Sequence, residues 1–529
     1  MSSSSELCDS PVSAKVQLFE IAGIPPAAIA FLVLSSATSL LWSYCRLIWG
    51  DEFFVLWTDS ASSIGEVVHI QRTFPISLDP LAYHAMAHAA IRLFGCGAFA
   101  LRLPSLLGFL LMQICLFVFV RRIAGERAGA CALAFPAFSG AFSYAVDGRP
   151  YGLLLGLFGL AMVSWQAATR RDTKRTVALI TLAVAIALAL NAHYFGVLLL
   201  VPLGAAECFR TFQRRRLDFP VLASIGAGAA GILCVLPFLK AAAEYRANYY
   251  GQGHIDPRKI GSALVETLTS ISLSDREEAV FLVFLAISAS MVLWSCICQV
   301  RGGTVQLPGC ELVFLIVLAA LPFSGYVLAR LGSHVFEGRY VLGAVIGMAA
   351  LLAIGLSPLV RRERVWNDLL IVLFSSVAFS GVAHIVMAHI QAKGVLSALN
   401  VTPEIKTAIL ASPDNRLYIQ HLGLFEFASY YEPDPDIRSR MTLVYSKDQE
   451  IRWSQMDMTS LIARHMRNFT QFHIASYESL TTQPGDHIFV NYRGLSWSWS
   501  DQAFTAAHAK VRLIGKAFAG DVVAVRFLP

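Results

Sequence analysis

Apolar runs of about twenty residues, the length needed to cross a bilayer as a helix, recur through the first 390 residues of this chain. Candidate spans lie near 24–45, 99–120, 128–144, 151–169, 176–192, 194–209, 219–239, 279–300, 310–330, 340–360 and 367–390. A soluble chain carries about a quarter charged residues. This one, 529 residues long, has 15% charged and 56% hydrophobic residues. The expectation is a mainly α, polytopic helical membrane protein with about eleven crossings and additional interfacial helices.

Basic loops set the expected orientation. The clusters RRIAGER (121–127), RRDTKR (170–175), RTFQRRR (210–216) and RRERV (361–365) fall in every second loop. Cytoplasmic loops are the ones enriched in Lys and Arg, so these clusters face the cytoplasm. They also account for the net charge of +6, and no nucleic-acid partner is expected. The N-terminal tail (1–23) is then cytoplasmic and the first span uncleaved, because no basic n-region or cleavage site precedes it. The loops around 46–98, 145–150, 193, 240–278 and 331–339 face outward, in a multi-pass cell (inner) membrane protein. LAYHAMAHAAIRLFG (81–95) is too short to cross; it reads as an interfacial or re-entrant helix in a structured first outer loop (46–98). DSASSIGEVVHIQRTF (59–74) is a second amphipathic helix there.

After the membrane part (24–390) the pattern changes. RLYIQ (416–420), MTLVYS (441–446), HIFVNY (487–492), KVRLIG (510–515) and DVVAVRFL (521–528) read as strands. MTSLIARHMRNF (458–469) and SDQAFTAAHA (500–509) have helical spacing. Residues 391–529 are therefore expected to form a small α/β domain, extracytoplasmic because the number of spans is odd.

The ten cysteines lie mostly in apolar runs, without metal spacing, and read as small buried hydrophobes. The two Asn-x-Thr sequons, at Asn400 and Asn468, are matches of a kind that chance supplies often. No phosphate-binding glycine loop, dinucleotide fingerprint, nucleophile elbow or H-E-x-x-H motif is present.

The conspicuous polar residues of the outer loops cluster at span ends. Asp51 and Glu52 follow the first span in WGDEFF (49–54). Asp79, His84 and His88 accompany the interfacial helix, and Arg102 opens the second span in ALRLPS (100–105). Asp147, Arg149 and Tyr151 lie in YAVDGRPY (144–151), His193 in NAHYFG (191–196), and Arg339 and Tyr340 in HVFEGRY (334–340). Each arginine alone has a plainer role as an interface anchor or a partner of Asp147 or Glu337. Together, Arg102, Arg149 and Arg339 could converge on an anionic lipid head group, which suits the guanidinium fork. Asp79, His88, Asp147, Tyr151 and Tyr340 complete the candidate substrate-binding set. Asp51 and Glu52 would be the catalytic carboxylates, able to take a proton from an acceptor hydroxyl while arginines stabilise a departing phosphate. The pair could instead hold a hard divalent cation such as Mg²⁺ or Mn²⁺, and His84 and His88 are spaced for coordination on one helix face.

WGDE, DPLAYHAMAHAAIRLFGCGAFALRLPSLLG (79–108), YAVDGRPYGLLLGL (144–157) and HVFEGRYVL (334–342), in that order, resemble the GT-C superfamily of membrane glycosyltransferases. The likeness, over about residues 45–345, is to bacterial relatives of protein mannosyltransferases and of the lipid A aminoarabinose transferase. It implies inverting transfer of a sugar from a polyprenyl-phosphate carrier to an acceptor glycan, lipid or protein at the extracytoplasmic face. It also implies Asp51 as base and Arg149 and Arg339 at the carrier phosphate. Two positions depart from the family pattern: Asp79 replaces the first residue of a usual Pro-Pro pair, and Asp147 stands where Glu is commoner. A lipid or polysaccharide transporter or flippase is the alternative. It would predict repeats or broken helices with charges near the midplane, whereas these charges gather at one face. A catalytically silent relative is the third reading, against which Asp51 is present.

Overall fold

The computed structural model describes residues 25–170, 174–245, 255–269, 273–332, 334–492 and 498–528. The expected N-terminal tail and residues 171–173 of the second basic cluster lie outside them. The described residues begin with α1 (Pro26–Cys45), followed by three short helices, α2 (Gly50–Asp59), α3 (Ile64–Thr73) and α4 (Leu81–Phe94). The long helices α5 (Ala98–Ala124), α6 (Tyr151–Thr169) and α7 (Arg175–Ala192) come next, then a 3₁₀ segment running into α8 (Leu200–Arg214). Short α9 (Lys259–Thr269) precedes α10 (Asp275–Arg301), α11 (Ala344–Val360) and α12 (Glu363–Ala398).

Among the described residues seven helices are long and apolar enough to cross a membrane, or nine if two bent pairs each count as one. The pairs are Phe219–Cys234 with Leu236–Tyr245, bent by 43°, and Gly309–Ala319 with Leu321–Leu331, bent by 56°. Pro237 and Pro322 open the second half of each pair, where a missing N–H and a ring clash break the helical ladder. The apolar α11 is shorter, at 17 residues. The expected span at 128–144 is not one continuous helix. It divides into Glu126–Ala134, a 3₁₀ turn Phe135–Phe138 and Ala141–Ala145, around Pro136 and Gly140. Gly140 has no room for a side chain, since a Cβ there would lie 2.1 Å from the Glu266 carbonyl oxygen. The last span also exceeds its expected end at 390, running to Ala398.

Small residues bring α5 and α6 into backbone contact. A Cβ on Gly108 would sit 2.3 Å from Leu153 Cα, and one on Gly156 2.5 Å from the Gly108 oxygen. Close approach of this kind is how helices gain packing where no hydrophobic effect separates them from lipid. It places Arg102, near the start of α5, beside Arg149, just ahead of α6. The basic clusters gather at the other ends of these helices. There Arg170 pairs with Glu311 at 2.8 Å and Arg361 Nη2 donates to the Thr304 carbonyl at 2.7 Å.

The C-terminal region forms a six-stranded sheet of β1 (Leu417–Ile419), β2 (Met441–Tyr445), β3 (His473–Ser476), β4 (His487–Asn491), β5 (Lys510–Ala517) and β6 (Gly520–Arg526). The order is β3-β2-β1-β4-β6-β5. The first four are parallel, and β6 pairs antiparallel with both β4 and β5. Parallel strands need cover on both faces, which their near-continuous apolar runs reflect. Phe425, Leu461 and Met466 cover one face, and Trp499, Phe504 and Tyr477 the other. Short, half-buried β3 had no strand signal among the sequence expectations. This domain docks on the segment after α1 through α13 (Leu422–Tyr431). Tyr430 packs edge-on against Phe53 at 5.7 Å, and the Tyr431 hydroxyl accepts from the Ile48 N–H at 2.8 Å.

Candidate functional site

Asp51 and Glu52 occupy the first turn of α2, where the helix dipole favours acids. Adjacent helical positions diverge by about 100° around the axis, and here the two carboxylates part company. Glu52 is wholly buried. Its Oε1 accepts from Arg102 Nε at 2.7 Å and the Gly148 N–H at 2.6 Å, and its Oε2 from Arg102 Nη2 at 2.6 Å and the Trp49 N–H at 3.2 Å. Burial by itself would raise this carboxyl, but the charge and hydrogen bonds of Arg102, the Arg46 charge and the Gly148 N–H together hold it below its ordinary 4.5.

Arg102, also fully buried, has no donor left to offer a ligand. Nη1 donates to the carbonyls of Ser43 at 2.6 Å and Arg46 at 2.9 Å, and Nη2 to that of Leu47 at 2.9 Å. With the two bonds to Glu52, all five guanidinium N–H groups are used. The expected roles are corrected accordingly: Glu52 is not placed to act on a substrate beside Asp51, and Arg102 is not placed to take a lipid phosphate. Both instead lock the end of α1 to α2 and α5. Gly148 is part of that lock, since a Cβ there would meet Leu101 Cγ at 2.7 Å and Glu52 Oε1 at 2.9 Å.

Asp51 faces the other way, with its side chain one-third exposed. Its Oδ2 lies 2.9 Å from Arg149 Nη1, while Arg149 Nη2 lies 3.2 Å from Asp79 Oδ2. Asp79 also accepts from the Ser77 hydroxyl at 3.3 Å and has His193 Nε2 at 3.8 Å. His193 Nδ1 accepts from the Phe195 N–H at 3.1 Å, which leaves its proton on Nε2, facing Asp79. Burial pulls His193 down to about 4, so the imidazole is neutral at pH 7. Asp147 is buried beneath, accepting from the Trp49 indole at 3.1 Å. Burial and then the Glu52 charge push it up to about 6.

Between the arginines lies an aromatic group. Tyr151 is 5.3 Å from His193, Tyr340 is 5.5 Å from His193, and Tyr340 stacks on Phe195 at 4.5 Å. The Arg149 guanidinium lies 6.0 Å from the Tyr151 ring, and that of Arg339 5.6 Å from the Tyr340 ring. Arg339 has no carboxylate within salt-bridge distance among the described residues, though it lies within the electrostatic reach of Asp51 and Arg149. The Nε atoms of both arginines are buried without a hydrogen-bond partner.

With that arrangement in view, residues 79–240 match the family described as dolichyl-phosphate-mannose-protein mannosyltransferase. The match takes in Asp79, Arg102, Asp147, Arg149, Tyr151 and His193, with Asp51 and Arg339 outside it. No curated protein sequence matches the chain. Among solved structures it is similar to ArnT from Cupriavidus metallidurans bound to undecaprenyl phosphate, at 14% identity and TM-score 0.46, covering 94% of this chain and 97% of that one. The oligosaccharyltransferase of Archaeoglobus fulgidus is similar at 11% identity and TM-score 0.42, over 78% of this chain and 62% of that one. The S. cerevisiae Pmt1-Pmt2 complex bound to the sugar donor gives 12% and 0.32, over 46% and 36%.

The histidine pair of α4 bonds within the fold. His84 Nδ1 lies 2.8 Å from Asp59 Oδ1 and its Nε2 2.6 Å from Gln71, while His88 Nδ1 lies 2.8 Å from the Asp59 carbonyl. The i, i+4 spacing thus serves to tie α4 to the end of α2 through Asp59. Among the described residues no three His, Cys, Asp or Glu side chains gather as a metal site. Glu52 is turned away from Asp51, so the two cannot chelate an ion together. Glu266 was not anticipated from the sequence. It lies on α9 and accepts from the Tyr144 hydroxyl at 2.6 Å and the Gly338 N–H at 3.1 Å. Nothing around it, in VETLT, marks it out from any acid on an amphipathic helix.

Proposed function

We propose that this protein is an inverting glycosyltransferase that moves a sugar from a polyprenyl-phosphate carrier to an acceptor hydroxyl at the extracytoplasmic face of the membrane. The observation that carries the reading is Asp51, a partly exposed carboxylate held by Arg149 and flanked by Arg339, which has no ion-paired carboxylate among the described residues. Asp51 takes the proton from the acceptor hydroxyl as its oxygen bonds to the anomeric carbon. The carbon–phosphate oxygen bond breaks on the opposite side, which inverts the centre. The leaving phosphate gathers charge at Arg339 and at Arg149, whose buried Nε atoms have unused donors. His193, Phe195, Tyr151 and Tyr340 wall this region with flat, weakly polar surfaces. The match of residues 79–240 to the dolichyl-phosphate-mannose-protein mannosyltransferase family supports the carrier class.

The test is release of free polyprenyl phosphate by the full chain in lipid, using a panel of polyprenyl-phosphate sugars and a cell-envelope extract as acceptor. Asp51→Asn should fold normally and lower release by about 10²–10⁴-fold, the range typical for a lost general base. Equal release by both proteins would remove Asp51 from the chemistry.

A further inference from the structure

Glu266, which bonds the residue just before Arg339, lies on a helix that contributes no other side chain described at the site. The last turns of α9 contact two distant glycines at once. The Gly140 N–H donates to the Thr267 carbonyl at 3.0 Å, and Thr267 Oγ1 donates to the Gly338 carbonyl at 3.5 Å. Glu266, one residue earlier, joins the same two regions by its side chain. Its Oε1 accepts from Tyr144 in the YAVDGRPY turn, and its Oε2 from Gly338 immediately before Arg339. The fit leaves no slack: a Cβ on Gly338 would stand 2.5 Å from Glu266 Oε2.

We infer that Glu266 is a positioning residue, holding the Gly338–Val341 turn so that Arg339 stays aimed at a phosphate-bearing ligand beside Asp51. This rests on the carrier-phosphate reading given above. Glu266 is the sole acid bonding both turns among the described residues, and it makes no ion pair with Arg339. The guanidinium therefore keeps its charge available for a ligand. Bonds to an ionised acceptor are roughly twice as strong as neutral ones, and they act here on backbone, where a small rotation is amplified along the arginine side chain. Without the carboxylate, the Gly338 N–H loses its partner and the 3₁₀ turn that presents Arg339 loses its tie to Tyr144.

The experiment measures binding of sugar-free undecaprenyl phosphate to the full chain in nanodiscs, by intrinsic tryptophan fluorescence, in a double-mutant cycle. Glu266→Ala is expected to weaken binding on the order of 10-fold, and Glu266→Gln, which keeps an acceptor oxygen, to restore most of it. In an Arg339→Ala background Glu266→Ala should add little, because a residue acting through Arg339 has nothing left to aim. Loss of the same size with and without Arg339 would overturn the inference, as would Glu266→Ala binding like the wild type or Arg339→Ala having no effect. Tyr144→Phe removes one hydrogen bond at little cost to folding. It should weaken binding a few-fold in the same cycle, so a misfolded Glu266→Ala still leaves a decisive result: no change in Tyr144→Phe refutes the role. Failure of the wild type itself to bind undecaprenyl phosphate would instead refute the carrier-phosphate reading.

Discussion

Replacing Arg102 by alanine separates a structural arginine from a substrate-binding one. In the folded chain its five N–H groups reach Glu52 and the carbonyls of Ser43, Arg46 and Leu47, and both partners of the ion pair are fully buried. Alanine would leave the Glu52 carboxylate with only the Gly148 and Trp49 N–H groups. Breaking a buried pair by removing one partner costs about 3–5 kcal/mol, because the remaining charge is uncompensated. Against a typical total of about 5–15 kcal/mol, that is a large share. Thermal unfolding of the purified full chain in detergent should therefore show Arg102→Ala strongly destabilised or unfolded. The pair also carries a pH signature. Glu52 is held below its ordinary 4.5, so the folded chain binds fewer protons than the unfolded one as acid is added. Its contribution is complete above pH 4.5 and is lost as pH falls through the folded value. That acid-side slope should shrink in Glu52→Gln. Arg102→Ala unfolding at the wild-type temperature while losing affinity for undecaprenyl phosphate would refute the argument and return Arg102 to the ligand site.

Two further outcomes probe the neighbourhood of Asp51. Glu426, on α13, is wholly buried, and burial followed by the Asp51 charge pushes it well above 4.5, an effect the facing Trp57 indole offsets only in part. The folded chain then holds a proton that the unfolded chain releases, so stability falls as pH rises above 4.5. Each pH unit in that window costs about 1.4 kcal/mol. Glu426→Gln should raise the unfolding temperature at pH 7.5 more than at pH 5, and an equal effect at both would refute the buried neutral acid. Gly148→Ala should destabilise by about 1–3 kcal/mol through overpacking against Leu101 and Glu52, measured by the same melts. An unshifted midpoint would mean that the turn has room to give.

Length and hydropathy by themselves determined the membrane class and most spans, because an apolar run of bilayer length has few other stable fates. Spacing of two and of 3.6 likewise determined an α/β region after the membrane part. The run at 128–144 is broken where one helix was expected, because hydropathy cannot register a Cβ's worth of space. Pro136 and the contact of Gly140 with Glu266 break that helix, and the contact exists only once α9 is docked. The candidate site was legible as a set of charged residues at span ends, but not in its roles. Asp51 and Glu52 are neighbours in sequence, yet one reaches solvent and Arg149 while the other closes on Arg102. Glu266, far from both turns along the chain, had no local signal at all. A charged residue's availability depends on how many of its donors or acceptors are already taken. That is settled by packing between segments distant in sequence, which is why only the tertiary structure could distinguish the lock from the site.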